Sequence, residues 1–277
     1  MRLLVAEGNS AEGRRRIESF AGQSPSQSYA AVLRELAPDA TIDIAFPAEA
    51  DARLPAPLDS YDGVVVTGSS LTIHLREPES LRQVEFARAV FALGLPMFGS
   101  CWGLQLATVA AGGEVRANPR GREIAFARKL TLTQAGRAHP LHAGRPLAFD
   151  APAIHADEVA TLPAGATVTA TNAMSAVQAA EIRVGASIVW AVQYHPEYNL
   201  ADVAGVIRRY GQRLVDDGLF AKPADLEAYA RDLLTLEAEP ARRDIAWRFD
   251  IDAELREPAA RRREIANWLE RQALRRG

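Results

Sequence analysis

The chain is short of cysteine, lysine and long apolar runs. It has 277 residues and one cysteine, Cys101. One thiol excludes an intramolecular disulfide and a cysteine-based metal cluster, so a reducing compartment is expected. Of 32 basic residues only Lys129 and Lys222 are lysines. This arginine and alanine bias reads as the composition of a GC-rich bacterial genome. No stretch approaches the roughly 18 apolar residues of a membrane span. The opening Met1-Arg2-Leu3-Leu4-Val5-Ala6 meets acidic Glu7 too soon for the apolar region of a signal peptide. A cytoplasmic protein with no membrane partner is expected. A formal charge of -3 lacks the basic excess of a nucleic-acid footprint. A Gly-x-x-x-x-Gly-Lys-Ser/Thr phosphate loop and a Ser-Gly-Gly-x-Asp-Ser-type pyrophosphatase loop are also missing from these residues. No metal or organic cofactor is implied.

Hydrophobic residues make up 48% of the chain and charged ones 24%, enough apolar material for a packed core and too little charge for disorder. Leu3 to Ala6 reads as a short buried strand, and Ser28 to Leu36 as a helix. Between them Arg14 to Ala21 is polar. Thr41 to Phe46 alternates as a strand does. Gly63 to Thr67 is a β-branched run suited to a central parallel strand. A helix over Leu81 to Leu93 and a strand over Leu95 to Phe98 follow, then a helix over Leu104 to Ala111. From Glu114 to about Ala186 the text is strand-like. A last strand over Ser187 to Gln193 leads to a helix over Asp202 to Val215. Strands alternating with helices predict a mostly parallel sheet with helices on both faces. Composition shifts near Asp216, which divides the chain into a domain over 1–215 and a helical extension over 216–277. The extension carries helices over Pro223 to Leu236 and Pro258 to Leu274. In the last, Ile265, Trp268, Leu269 and Gln272 share a face that packs on the core or on a second subunit.

The sharpest feature is Gly99-Ser100-Cys101-Trp102-Gly103-Leu104-Gln105. It lies between a strand and a helix, where a tight turn exposes a nucleophile and small neighbours relieve the crowding. The N-terminus of the following helix favours thiolate. At the end of the last predicted strand stands Gln193-Tyr194-His195-Pro196-Glu197. A histidine can shuttle the protons that a thiolate nucleophile requires, and a carboxylate fixes its tautomer. After the best central strand comes Thr67-Gly68-Ser69-Ser70, whose glycine can turn a backbone N–H toward a developing oxyanion.

Together the elbow, the His-Pro-Glu segment and the Thr-Gly-Ser-Ser loop resemble the class I, or triad, glutamine amidotransferase family over roughly residues 1–215. The likeness is greatest to stand-alone domains similar to the glutaminase part of GMP synthase and to γ-glutamyl peptidases. The segment His155-Ala156-Asp157-Glu158-Val159 resembles a glutaminase lid. The resemblance implies a flavodoxin-like three-layer α/β fold and a γ-glutamyl thioester at Cys101. It makes His195 the base and Glu197 its orienting group. It also implies oxyanion contacts from the N–H groups of Trp102 and of Gly68 or Ser69, and a glutamyl-binding role for Gln105. Trp102 departs from the smaller aliphatic residue frequent at its position and is expected to reshape the mouth of the site. The loop after Gly68 lacks the second glycine or proline of synthase-linked members, which weighs against strict glutamine specificity.

The remaining histidines read as structural. His74 follows the oxyanion loop, His139 and His142 frame Pro140-Leu141 as loop residues, and His155 lies in the lid. The runs Arg14-Arg15-Arg16 and Arg261-Arg262-Arg263 read as solvated faces. The expected function is cleavage of the γ-glutamyl amide bond of glutamine, or of a γ-glutamyl amine or peptide, with a small-molecule γ-glutamyl substrate as partner. One alternative is a glutaminase subunit that delivers ammonia to a separate synthase. Another is a non-catalytic regulatory module on the same fold. A general cysteine peptidase has the least support, because no peptide groove is legible.

Overall fold

The computed structural model describes residues 1–273. Its strands are β1 (Arg2–Ala6), β2 (Thr41–Ala45), β3 (Gly63–Val66), β4 (Met97–Ser100), β5 (Glu114–Ala117), β6 (Glu123–Leu132), β7 (Ala148–His155), β8 (Asp157–Thr161), β9 (Ala166–Thr171), β10 (Ala179–Val184) and β11 (Ser187–Val192). The first helices are α1 (Ala11–Ala21), α2 (Pro25–Leu36), α3 (Pro78–Ala92), α4 (Trp102–Ala110) and α5 (Gln134–Ala138). After β11 come α6 (Leu200–Tyr210), α7 (Gln212–Asp216), α8 (Pro223–Ala238), α9 (Arg243–Arg248), α10 (Ala253–Arg256), α11 (Pro258–Arg261) and α12 (Arg263–Trp268).

Nine strands form one sheet in the order β2-β1-β3-β4-β11-β10-β9-β6-β7, and β5 pairs with β8 in a separate ribbon. Strands β2, β1, β3, β4 and β11 run parallel, in the spatial order of a flavodoxin-like sheet. The other half is antiparallel. In the parallel half the apolar runs are buried on both faces. Leu4, Val64, Val66 and Met97 pack with Val84 of α3 and Leu104 of α4. Leu3, Val5, Val65 and Phe98 face the other way, onto Tyr29 and Leu33 of α2 and Ile265 and Trp268 of α12. Each fully buried side chain of this size contributes about 1.5–3 kcal/mol, so the alternation along β3 specifies its register.

The segment read as merely polar before α2 is a helix, α1. Ser10 caps it by accepting from the Gly13 N–H at 3.2 Å, a local bond that composition does not reveal. The helix expected over Asp202 to Val215 is broken at Gly211, whose φ of 46° and ψ of -121° separate α6 from α7. The division placed after residue 215 falls inside α7.

The chain beyond α7 is built into the same cores. Leu226, Ala230 and Leu233 of α8 pack on Val203, Ala204 and Ile207 of α6 and on Phe126 of β6. Trp268 is buried against Phe98, ring centroids 5.9 Å apart, so its apolar face meets the sheet. The helix expected over Pro258 to Leu274 is interrupted at Arg262. It resumes as α12 and ends in a π-helical turn, Leu269–Ala273. Leu274 lies outside the described residues.

The physical reason is charge turned inward. Arg261 is buried, and its Nη1 donates to the carbonyls of Leu255 and Arg256 at 2.9 and 3.1 Å, closing the end of α10. The expected solvated face is thus overturned at Arg261. At the other arginine run Arg14 pairs with Glu49 at 2.8 Å and lies over the Phe46 ring, while Arg15 and Arg16 are exposed. Glu264 of α12 is also fully buried and meets Arg145 Nη2 at 2.7 Å. Burial opposes its charge, but Arg145 and then His142 outweigh that and hold its carboxyl well below the usual range. Glu264 also accepts from Tyr194 Oη at 3.0 Å. The C-terminal helices therefore grip the residue that precedes His195.

Candidate active site

The site lies at the carboxyl ends of three adjoining parallel strands. Register places Val66 of β3 beside Gly99 of β4, and Val192 of β11 beside Ser100. Residues just past those ends, Gly68, Cys101 and His195, therefore converge, as ligand-binding loops do in open α/β sheets.

Cys101 has φ 51° and ψ -96°, a strained conformation for a side-chain-bearing residue. The turn demands small neighbours. A Cβ on Gly99 would lie 2.6 Å from the Gly103 carbonyl carbon, and one on Gly103 2.9 Å from the Val66 oxygen. Cys101 N–H donates to Val192 O at 2.7 Å, which ties the elbow to β11. Helix α4 begins at the next residue, Trp102, so the unpaired N–H groups of its first turn lie beside the thiol. Cys101 is 5% exposed, and its Sγ is 3.4 Å from Ile154 O at the end of β7.

His195 is 2% exposed and Glu197 3%. His195 N–H donates to Pro152 O at 2.7 Å, and Nδ1 lies 2.7 Å from Glu197 Oε1. This contact fixes the tautomer, with the proton on Nδ1. The Tyr198 ring stacks on the imidazole, centroids 4.1 Å apart. Gly68 packs against the Cε1 edge of the ring, where a Cβ would fall 2.5 Å from that atom. Burial disfavours the imidazolium, yet the Glu197 charge, followed by the neighbouring Cys101 sulfur, lifts the His195 pKa from 6.5 to about 10. The sulfur is close enough to act on the ring, but Nε2 makes no hydrogen bond of ordinary geometry among the described residues. Nε2 is thus a buried ring nitrogen without a hydrogen-bond partner among the described residues.

Two residues complete the array. Ser100 Oγ donates to Glu197 Oε2 at 3.0 Å and lies 3.1 Å from Tyr29 Oη, all buried. Glu197 is therefore held through both oxygens. Sequence reasoning missed Ser100 and Tyr29. Ser100 had one available signal, its place beside the nucleophile, whereas Tyr29 lies in a helix remote in sequence.

Gly68 and Ser69 line the depression that reaches His195. The Trp102 ring is buried beneath the elbow, its Nε1 donating to Gln83 Oε1 at 2.8 Å, and does not reshape an open mouth as expected. Gln105 is buried below the cysteine, with Nε2 3.4 Å from Gln193 Oε1. The His155 ring engages Glu123 at 2.8 Å, and its neighbour Ile154 meets the thiol instead. His74 lies 3.4 Å from Asp157 at the start of β8. His139 contacts Glu181 at 3.0 Å and His142 lies 3.4 Å from Glu264, so each has the carboxylate partner that sequence spacing did not reveal. Among the described residues no group of three or more His, Cys, Asp or Glu could hold a metal ion.

The family model described as glutamine amidotransferase class-I matches residues 22–206, which contain the elbow and the His-Pro-Glu segment. The chain belongs to the class I glutamine amidotransferase family. It is 40% identical over 275 residues to a γ-glutamyl-L-1-hydroxyisopropylamide hydrolase from Pseudomonas sp., covering 98% of this chain and 92% of that protein. It is 34% identical over 145 residues to the glutamine-hydrolysing GMP synthase of Symbiobacterium thermophilum, covering 51% of this chain but 26% of the synthase. The crystal structure of a glutamine amidotransferase from Thermotoga maritima superposes with a TM-score of 0.66 at 18% identity, over 98% of this chain and 97% of that one. That likeness establishes the shared fold. No helix among the described residues is long and apolar enough to cross a membrane.

Proposed function

We propose that this amidotransferase-family chain hydrolyses the γ-glutamyl amide bond of a small γ-glutamyl amine, amide or peptide through a thioester on Cys101. The observation that carries the reading is the Cys101, His195 and Glu197 set at adjoining strand ends, with the imidazole held by Glu197 at 2.7 Å. The sulfur attacks the δ-carbonyl carbon, and the carbonyl π electrons move to oxygen. The N–H groups of Trp102 and of Gly68 or Ser69 receive the oxyanion. The tetrahedral adduct collapses, the C–N bond breaks, and His195 gives its Nε2 proton to the departing amine. Water then gives a proton back to Nε2 as it attacks the thioester, and the C–S bond breaks, releasing glutamate and regenerating the deprotonated sulfur beside the protonated imidazole. Gln105 helps hold the glutamyl part.

Residues 1–215 act as the catalytic domain in this reading. In the extension over 216–277, the described helices brace it through Glu264 and Tyr194. With its single thiol, the protein works in the reducing cytoplasm. The likeness to the γ-glutamyl amide hydrolase runs through the C-terminal helices, whereas that to the GMP synthase spans about half of this chain. That favours a self-sufficient hydrolase over a glutaminase subunit awaiting a synthase. The test incubates wild-type and Cys101→Ala proteins with glutamine and a panel of γ-glutamyl amides and measures glutamate. Release by wild type alone is expected. Release by a folded Cys101→Ala protein overturns the mechanism.

A further inference from the structure

Arginine side chains gather close to His195, one of them in the same depression. The depression that contains His195 also contains Tyr198, Arg209 and Tyr210. Arg209 and Tyr210 continue into an adjoining cavity of about 220 Å³ between α1 and α6, where Arg16 and Arg213 join them with Ile17 and Ser70. No carboxylate lines that cavity. Arg16 and Arg209 form no ion pair and no side-chain hydrogen bond among the described residues. Arg213 has only Asp217, at 4.0 Å and half exposed. Tyr210 is flanked by cations, with the Arg209 guanidinium 5.1 Å and that of Arg122 4.7 Å from its ring centre. In a chain of net charge -3, three guanidinium groups around one cavity, two of them without a carboxylate partner, form a local positive field that draws anions.

Position decides which part of a substrate meets this field. A proton from His195 Nε2 would reach a departing amine in this depression, and a substituent on that amine lying in the same depression would come to Arg209. Gln105 is buried beside Gln193 and lines neither depression. Resting on the hydrolase reading above, we propose that the arginine cavity is the leaving-group subsite. It selects γ-glutamyl conjugates whose amine bears an anionic group, such as γ-glutamyl amino acids, over those of neutral amines. Arg209, shared by both depressions, is the specificity-determining contact. Its planar fork takes a carboxylate through two hydrogen bonds.

The experiment compares γ-glutamylglycine with γ-glutamylglycinamide, close in shape but differing in charge. For wild type, kcat/KM is expected to favour the glycine conjugate by about tenfold or more, the value of one charge-assisted contact. Added salt should shrink this preference. Arg209→Gln should lower kcat/KM about tenfold for γ-glutamylglycine and leave γ-glutamylglycinamide within about twofold. Calorimetry on the Cys101→Ala protein repeats the comparison without turnover. Arg209-dependent tighter binding of γ-glutamylglycine, with no hydrolysis by wild type, would retain the subsite while removing the hydrolase reading. Equal kcat/KM and equal affinity for the two ligands would overturn the proposal. So would an equal loss on both in Arg209→Gln, since the arginine would then be reading the α-carboxylate of the glutamyl part.

Discussion

Replacing Glu197 with glutamine tests the electrostatics of the site with little change in shape. Glu197 accepts from His195 Nδ1 at 2.7 Å and from Ser100 Oγ at 3.0 Å. The rise of the His195 pKa from 6.5 to about 10 corresponds to about 5 kcal/mol of preference for the imidazolium. Burial acts against that charge, so the carboxylate is its main source. In Glu197→Gln the opposing burial remains and the attraction goes, and the pKa is expected to fall to or below its ordinary value. At neutral pH the ring is then neutral and has no Nε2 proton ready for the leaving amine. The expected loss in kcat/KM is about a hundredfold or more, the usual value of a positioned acid–base group. The sign for stability follows. Because the folded-state pKa is raised, this stabilisation is fully present below pH 6.5 and lost as pH rises through about 10. Glu197→Gln should remove that alkaline dependence. Histidine NMR titration reads the pKa, and glutamate release reads the rate. A His195 pKa still near its wild-type value, or a rate within about threefold of wild type, would refute the reasoning.

Ser100→Ala frees one oxygen of Glu197 and should slow hydrolysis about three- to tenfold, with a shifted kcat/KM pH profile and unchanged circular dichroism. Gly68→Ala puts a Cβ 2.5 Å from His195 Cε1, too close for the ring to stay in place. It should cost at least about tenfold in rate while the fold persists, and an active Gly68→Ala enzyme would mean that the ring can move freely. Arg145→Ala leaves the fully buried Glu264 without its principal partner. Chemical denaturation should show a loss of about 3–5 kcal/mol. Because the Glu264 pKa is lowered, the stability it contributes is present above its ordinary value of 4.5 and lost as pH falls below that. Arg145→Ala should therefore flatten the acid limb of the stability curve.

Much of this protein was readable from local sequence, because the relevant physics is local. The β-branched run of β3 dictates a strand buried on both faces. Glycines flanking Cys101 dictate a strained turn, since nothing larger fits between Gly99, Gly103 and Val66. His195 and Glu197 are close in sequence, so their pairing needed little from the rest of the chain. The boundaries of α1 and α11 depended on single caps and buried arginines and were not readable. The sequence by itself determined which groups are chemically able to act and the class of sheet that carries them. Only the tertiary structure decided that Ser100, beside Tyr29, holds Glu197, that Glu264 reaches Tyr194 from the C-terminal helices, and that arginines of α1 and α6 line one cavity adjoining the depression that contains His195. Those placements join residues remote in sequence, and they follow from the order and register of β3, β4 and β11 and from the packing of the C-terminal helices on the sheet.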